Sequence, residues 1–416
     1  MERKTWSGAP WLWLALGVLG VAVRLGLWWG TFGSNDSYIW AIHGQRVFQL
    51  GLTRTYELFS DFNHPPLMGL YARWAWSVTG ELLANNTLNL ETVGNAGELM
   101  GFARLMKLPG LLGEALVLWA LWRFASPRAF AAYALLPAPI LVSSYHGNTD
   151  CLYAAFVLLA ALMFDQRRYF LSGLLWSAAL NVKLLPLALL PIVLLAPRDW
   201  RAFLRLVAGG VLGLLPFLPP ALTVAASMYR NMLTYNSRPD NWGLMAFLNL
   251  SLEIPNLSPF FWPVRTWFLE AGRYLVLGSI TAVALLSRFR SGMTMAQQAA
   301  VGSALFFVLA PGFGVQYVVL AAPLLCFVDL RAGLRWGWAS GLFIGLVYWI
   351  YLRTLSPPLS YFTVFFPGPA PVVGILAWAV LGHFAWTHLW TAWRRREVSL
   401  SVQPGSEAVT APRPAA

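Results

Sequence analysis

The stretch HGNTDCLYAAFVLLAALMFDQRR, residues 146–168, carries the plan of the whole chain. A polar tip (HGNTD) opens it, an apolar run at 151–164 follows, and a basic turn (DQRR) closes it. The same alternation repeats from end to end, with apolar runs of about 17–25 residues, the length a helix needs to cross a bilayer. Of the 416 residues, 58% are hydrophobic and only 11% charged, whereas soluble domains carry about 25% charged residues. The 22 Trp and 27 Pro fit the same medium. Trp collects at lipid–water interfaces, and membrane helices tolerate Pro because neighbouring groups re-satisfy the freed backbone. The expected fold class is therefore all-α, a polytopic transmembrane helix bundle of about 10–13 spans.

Twelve spans can be placed, at roughly 10–30, 105–123, 129–143, 151–164, 169–181, 184–196, 206–226, 271–287, 296–310, 314–328, 336–352 and 370–391. The net charge of +12 sits mostly in the short loops between them: residues 123–128, DQRR, PRDWR with Arg205, SRFR, DLRAGLR and RRR. With MERK inside, counting spans puts every one of these loops inside. That is a topology signal and not a nucleic-acid patch, so nucleic acid is excluded as a partner. The N-terminal run is too long for a signal-peptide core and lacks a small-residue cleavage site, so it reads as the first span. Cys151 and Cys326 lie in apolar surroundings and read as small core residues. The expectation is one membrane domain over residues 1–396, with external segments at 31–104 and 227–270 and a disordered tail at 397–416. The first external segment reads as one or two amphipathic helices lying on the membrane surface.

The informative residues are the polar ones that no basic loop explains. Ionisable groups near a membrane core are costly and default to functional candidates with a partner. Almost all fall on the outer side: Asp36 and His43; Asp61, Asn63 and His64; Arg104 and Lys107; His146, Asn148 and Asp150; Asn181 and Lys183; Gln316 and Tyr317. Each has a plainer reading too. Asp36 fits a cap on the helix that starts near Ser37, His64 before Pro65 a structural turn, and Arg104 with Lys107 a snorkelling pair. Lys183 in NVKLLPLALLP needs an anion, and Asp150 one hairpin earlier offers a structural one. Taken together, a carboxylate with several cations and amides at one membrane surface suits a substrate with a lipid tail, a phosphate and a polar head. In sugar transfer from a polyprenyl phosphate the leaving group is already good, and only the acceptor hydroxyl needs a base. Asp36, at the end of a rigid span, suits that role better than Asp61 or Asp150.

The order of these pieces is informative as well. An Asp follows span one, HPPL precedes a surface helix, and ARLMKLPGLLGEAL opens span two; HGNTDCLYAAFVLLA, NVKLLPLALLP and APGFGVQYVVLAAPLL come after. This order, across residues 15–330, resembles the GT-C superfamily of integral-membrane glycosyltransferases, which use dolichyl- or polyprenyl-phosphate sugars. Most similar are the bacterial polyprenyl-phosphate-mannose-dependent enzymes and the first mannosyltransferase of GPI assembly. The resemblance implies inverting transfer of a hexose, mannose favoured, on the outer face, with Asp36 as general base. It implies donor contacts from His64, Arg104, Lys183, Gln316 and Tyr317. Lys107, His146, Asn148 and Asp150 complete the substrate-binding candidates. Many relatives pair the first acid with a second, but here Asn35 precedes Asp36. A lone carboxylate is a poor site for a hard cation, so no metal and no cofactor are expected.

The expected partners are a lipid-phosphate-linked sugar donor, a glycan, lipid or protein acceptor, and membrane lipids. Gly-, Ala- and Arg-rich usage suggests a bacterial plasma membrane, with the site facing outward. The alternative from another class is a transporter or flippase for a lipid-linked or small polar substrate. Transporters tend to show inverted repeats and midplane charges, and neither pattern stands out here.

Overall fold

The computed structural model describes residues 10–80, 99–233, 242–354 and 369–401, and the regular structure in them is helical throughout. The N-terminal MERK, residues 81–98 of the first external segment, 234–241 of the second, 355–368 and the tail from 402 lie outside the described residues.

Helix α1 (Pro10–Gly30) starts on a proline, whose fixed φ suits a first helical turn. It leaves Trp11, Leu14 and Val18 exposed at 69%, 52% and 59%. Apolar side chains left outside in this way match hydrocarbon, not water. The first external segment folds as three helices, where one or two were expected: α2 (Asp36–Leu50), α3 (Leu52–Leu58) and α4 (Pro66–Thr79). α2 packs along α4 and touches α5 (Met100–Ala120). The run expected at 129–143 is broken into α6 (Pro127–Ala134), α7 (Pro137–Ile140) and a π-helical turn, Leu141–His146. Pro137 and Pro139 remove the backbone donors that a continuous helix would need.

At the centre, α8 (Asp150–Asp165) is buried on nearly every side, and α9 (Tyr169–Val182) returns antiparallel to it. A 3₁₀ turn, Leu185–Leu189, leads into α10 (Leu190–Leu195), and α11 (Trp200–Gly213) packs on α9. That seam is close because Gly173 and Gly209 lack a Cβ, which would run into the carbonyls of Leu206 and Phe170. Next comes α12 (Leu218–Met228), then α13 (Gly243–Leu252) and the long α14 (Ser258–Leu286). The chain closes with α15 (Met295–Leu309), α16 (Ala321–Val328), α17 (Leu330–Thr354) and α18 (Ala370–Ser401). α14, α15 and α18 pack together beside α13.

Among the described residues four helices are long and apolar enough to cross a membrane alone: Pro10–Gly30, Met100–Ala125, Ser258–Ser291 and Ala370–Arg394. A fifth forms if Trp200–Gly213 and Leu215–Leu233, bent by 42°, count as one. The gap from the expected count has a physical cause. Other apolar runs fold as helices of 10–17 residues, such as Tyr169–Val182 and Met295–Leu309. Pro186 and Pro311 follow closely, and a proline blocks the turn before it. A buried ion pair ties α1 inward. Arg24 donates to Glu114 at 2.7 and 3.1 Å and also to the carbonyls of Gly20 and Ala134; Tyr133 donates to the other Glu114 oxygen at 2.9 Å.

Candidate active site

The site is assembled where the 31–35 turn meets the 146–149 tip. Ser34 N–H and Oγ both donate to the carbonyl of His146, at 3.1 and 2.8 Å. Gly33 and Gly147 have φ of +114° and +84°, and a Cβ on either would collide with Ser37 or the facing backbone. Only glycine allows both turns to close on each other. The two segments, over a hundred residues apart in sequence, are thereby stapled into one rigid corner.

Asp36 sits in that corner at the first position of α2. It is not the cap: Asn35 occupies the N-cap position, with no side-chain cap bond. The carboxylate instead looks across to the tip. Its Oδ2 lies 2.9 Å from His146 Nε2 and accepts from Asn148 Nδ2 at 2.8 Å. Asn148 Oδ1 in turn accepts from Thr149 N–H at 2.6 Å, which fixes the amide so that its NH₂ faces Asp36. His146 Nδ1 lies 2.6 Å from Tyr348 Oη, with the two rings stacked at 5.3 Å between centroids. When Nε2–H is donated to the carboxylate, Nδ1 is the acceptor and Tyr348 O–H the donor. Both donors fall on Oδ2; among the described residues none reaches Oδ1. The Asp36 side chain is 17% exposed and His146 only 3%. The carboxylate is thus held from behind and open in front.

Electrostatics keep it charged. Burial pushes the Asp36 carboxyl up, but the His146 charge and hydrogen bond, the Lys183 charge and the Asn148 bond outweigh it, so the net direction is down from the ordinary value. Lys183 stands beside a second buried acid. Its Nζ is 2.6 Å from Asp150 Oδ1 and 4.3 Å from the centre of the Tyr317 ring. Burial disfavours its ammonium, but Asp150, Tyr317 and Asp36 more than compensate and raise its pKa. Asp150 is therefore the partner of Lys183, as the plainer reading had it, yet the lysine side chain is still 16% exposed. Asp150 Oδ2, fully buried, has no partner among the described residues.

The His64 ring lies tilted against Trp40, with centroids 4.1 Å apart, and meets His43 edge-on at 5.5 Å. Burial lowers both imidazole pKa values, His43 to about 4, and leaves both rings neutral at pH 7. Lys183 lowers the His64 pKa further, and Asp36 opposes it. Gln316 lies in the turn with Tyr317, against Gly314. Arg104 and Lys107 are engaged elsewhere. Arg104 donates to the Trp29 carbonyl at 3.0 and 2.8 Å and lies over the Trp29 ring, and Lys107 donates to the Thr31 carbonyl at 2.6 Å. Both cations complement the negative C-terminal end of α1. Among the described residues no group of three His, Cys, Asp or Glu side chains is placed to hold a metal ion.

Sequence reasoning missed Ser34, Tyr348 and the Arg24–Glu114 pair. Tyr348 is 202 residues from His146 and gives no local signal. Arg24 and Glu114 did give one, each being a lone charge inside an apolar run.

A helical bundle with exposed apolar flanks, and a charged carboxylate and ammonium gathered at one end of its central hairpin, has the form of a membrane-embedded protein. The family model of glycosyltransferase family 87 matches residues 99–311, just over half of the chain, and the chain belongs to that family. It is accordingly a glycosyltransferase, with a sugar donor and an acceptor as its substrates. No curated protein matches the chain.

Proposed function

We propose that the protein transfers a hexose, with mannose favoured, from a polyprenyl-phosphate donor to an acceptor hydroxyl on the outer face of the membrane. The observation that carries the reading is the one-sided hydrogen bonding of Asp36: Oδ2 is occupied by His146 and Asn148, and Oδ1 is open. In this scheme the acceptor O–H donates to Oδ1. As its proton passes to Asp36, the hydroxyl oxygen forms a bond to the anomeric carbon on the face opposite the phosphate. The bond from that carbon to the phosphate oxygen breaks, its electron pair leaves with the polyprenyl phosphate, and the sugar configuration inverts.

The Lys183 ammonium compensates the charge of the departing phosphate, while Asp150 holds it in place. Tyr348 acts on the base through His146 and is a positioning residue. The neutral edge of His64 supplies a partner for a sugar hydroxyl, with Gln316 and Tyr317 closing that side. Arg104 and Lys107 are assigned the support of α1 and not the phosphate. Outward orientation follows from the basic loops at the other end of the helices.

The test is transfer from a labelled polyprenyl-phosphate sugar by the Asp36→Asn variant. Transfer should be abolished with donor binding retained, and wild-type turnover would remove Asp36 as the base.

A further inference from the structure

The mechanism leaves unused a cavity of about 570 Å³ at the other end of the central hairpin. Asp150 is the first and Asp165 the last residue of α8, so at 1.5 Å per residue this cavity is about 22 Å from the Asp36 corner. Arg167, from the turn after α8, Arg198, from the turn before α11, and Arg205, from the start of α11, line it together with Asp165 and Asp199. The two carboxylates are committed to helix ends. Asp165 accepts from Met295 N–H at 2.7 Å and Ala296 N–H at 3.2 Å, and Asp199 accepts from Ala202 N–H at 2.8 Å. A fourth arginine, Arg288, is committed too, donating to the carbonyls of Leu195 and Pro197 at 2.7 Å each. Among the described residues the guanidinium groups of Arg167, Arg198 and Arg205 have no hydrogen-bond or ion-pair partner.

Arg167 adds an independent observation. α8 ends in a Schellman turn, with Arg168 N–H on the Met163 carbonyl at 2.9 Å and Arg167 N–H on the Phe164 carbonyl at 2.8 Å. The left-handed position of that turn is normally glycine. Here it is Arg167, at φ 62°, the single positive-φ residue other than glycine among those described. Backbone conformations of this kind cluster at functional sites and ligand clamps. The topology rule explains why these loops are basic. It does not explain an arginine in glycine's place, nor three free guanidinium forks around one cavity.

We infer that Arg167, Arg198 and Arg205 form a binding site for a phosphate group, separate from the transfer site. The planar fork of arginine matches phosphate oxygens in pairs, and the volume suits a small phosphorylated ligand or a lipid headgroup.

Delipidated full-length protein in a non-ionic detergent is titrated with phosphatidic acid, with diacylglycerol of the same chains, and with pyrophosphate, and bound ligand is counted by native mass spectrometry. Phosphatidic acid or pyrophosphate should bind, and diacylglycerol should not. Binding of phosphatidic acid alone identifies a lipid headgroup; binding of pyrophosphate identifies a soluble phosphate ligand. Arg167→Gly relieves the backbone and should leave the melting temperature unchanged or higher, while weakening binding at least about tenfold for the lost fork. The Arg167→Lys, Arg198→Lys, Arg205→Lys triple variant keeps the charge, and with it the topology signal, and should weaken binding as much. Asp36→Asn should bind as wild type does. Binding of neither phosphate compound, or binding within twofold of wild type in both arginine variants, overturns the site.

Discussion

Replacing Arg24 by Met leaves Glu114 buried without its counter-charge, and the cost can be worked from the geometry. Both side chains are 2% exposed, and the pair is joined by two contacts of 2.7 and 3.1 Å. Removing one partner of such a pair costs about 3–5 kcal/mol, because the remaining charge stays buried. Arg24→Met also frees the Gly20 and Ala134 carbonyls, although Tyr133 still donates to Glu114. Glu114→Met strands Arg24 and should cost a similar amount. In Arg24→Met with Glu114→Met no charge remains, so the double variant should lose less stability than either single one. The assay is equilibrium unfolding in mixed micelles, followed by tryptophan fluorescence, for all four proteins. Additive losses would refute the reasoning, as would a single variant as stable as wild type. The consequence reaches the active site, because α1 carries the 31–35 turn that places Asp36.

Other outcomes follow from the same geometry. Tyr348→Phe keeps the stack on His146 and removes only the hydroxyl; kcat should fall by about tenfold or more with donor KM little changed, as expected for a group that orients another. Lys183→Met should weaken donor binding by at least about tenfold, the worth of one charge-assisted contact, read by direct binding of a polyprenyl-phosphate sugar. In His146→Ala the largest opposing influence on Asp36 is gone and burial pushes its carboxyl upward. A base is lost as pH falls through its pKa, so the acid limb of the pH–rate profile should move to higher pH than in wild type. An unmoved limb would separate His146 from the base.

Much of this arrangement was legible in the residues. The alternation of apolar run and basic loop specified an all-helical membrane bundle, and isolated polar tips specified the corner that Asp36, His146, Asn148, Asp150 and Lys183 now share. Hydropathy could not show how the runs break, because a proline such as Pro137 or Pro186 changes a helix end without changing the apolar average. Position alone left the partners of Arg104 and Lys107 open: a cation at the start of one helix can face a ligand or the carbonyl end of its neighbour, and here Arg104 meets the Trp29 carbonyl and Lys107 the Thr31 carbonyl just after α1. Tyr348 was beyond reach, since its role exists only after α17 packs against the turn that ends at His146. Arg24 and Glu114 were readable, and only the rule that a mid-span charge needs a partner had to be applied to them.

The most direct test of the central claim is a paired measurement on Asp36→Asn, which keeps the shape and removes the basic oxygen. Donor affinity and single-turnover transfer would be measured on the same detergent-purified sample with a labelled polyprenyl-phosphate mannose and an acceptor panel. The account predicts donor binding within about threefold of wild type and transfer lowered by at least about 10²-fold, the lower range for a lost general base. Wild-type transfer by Asp36→Asn would contradict it.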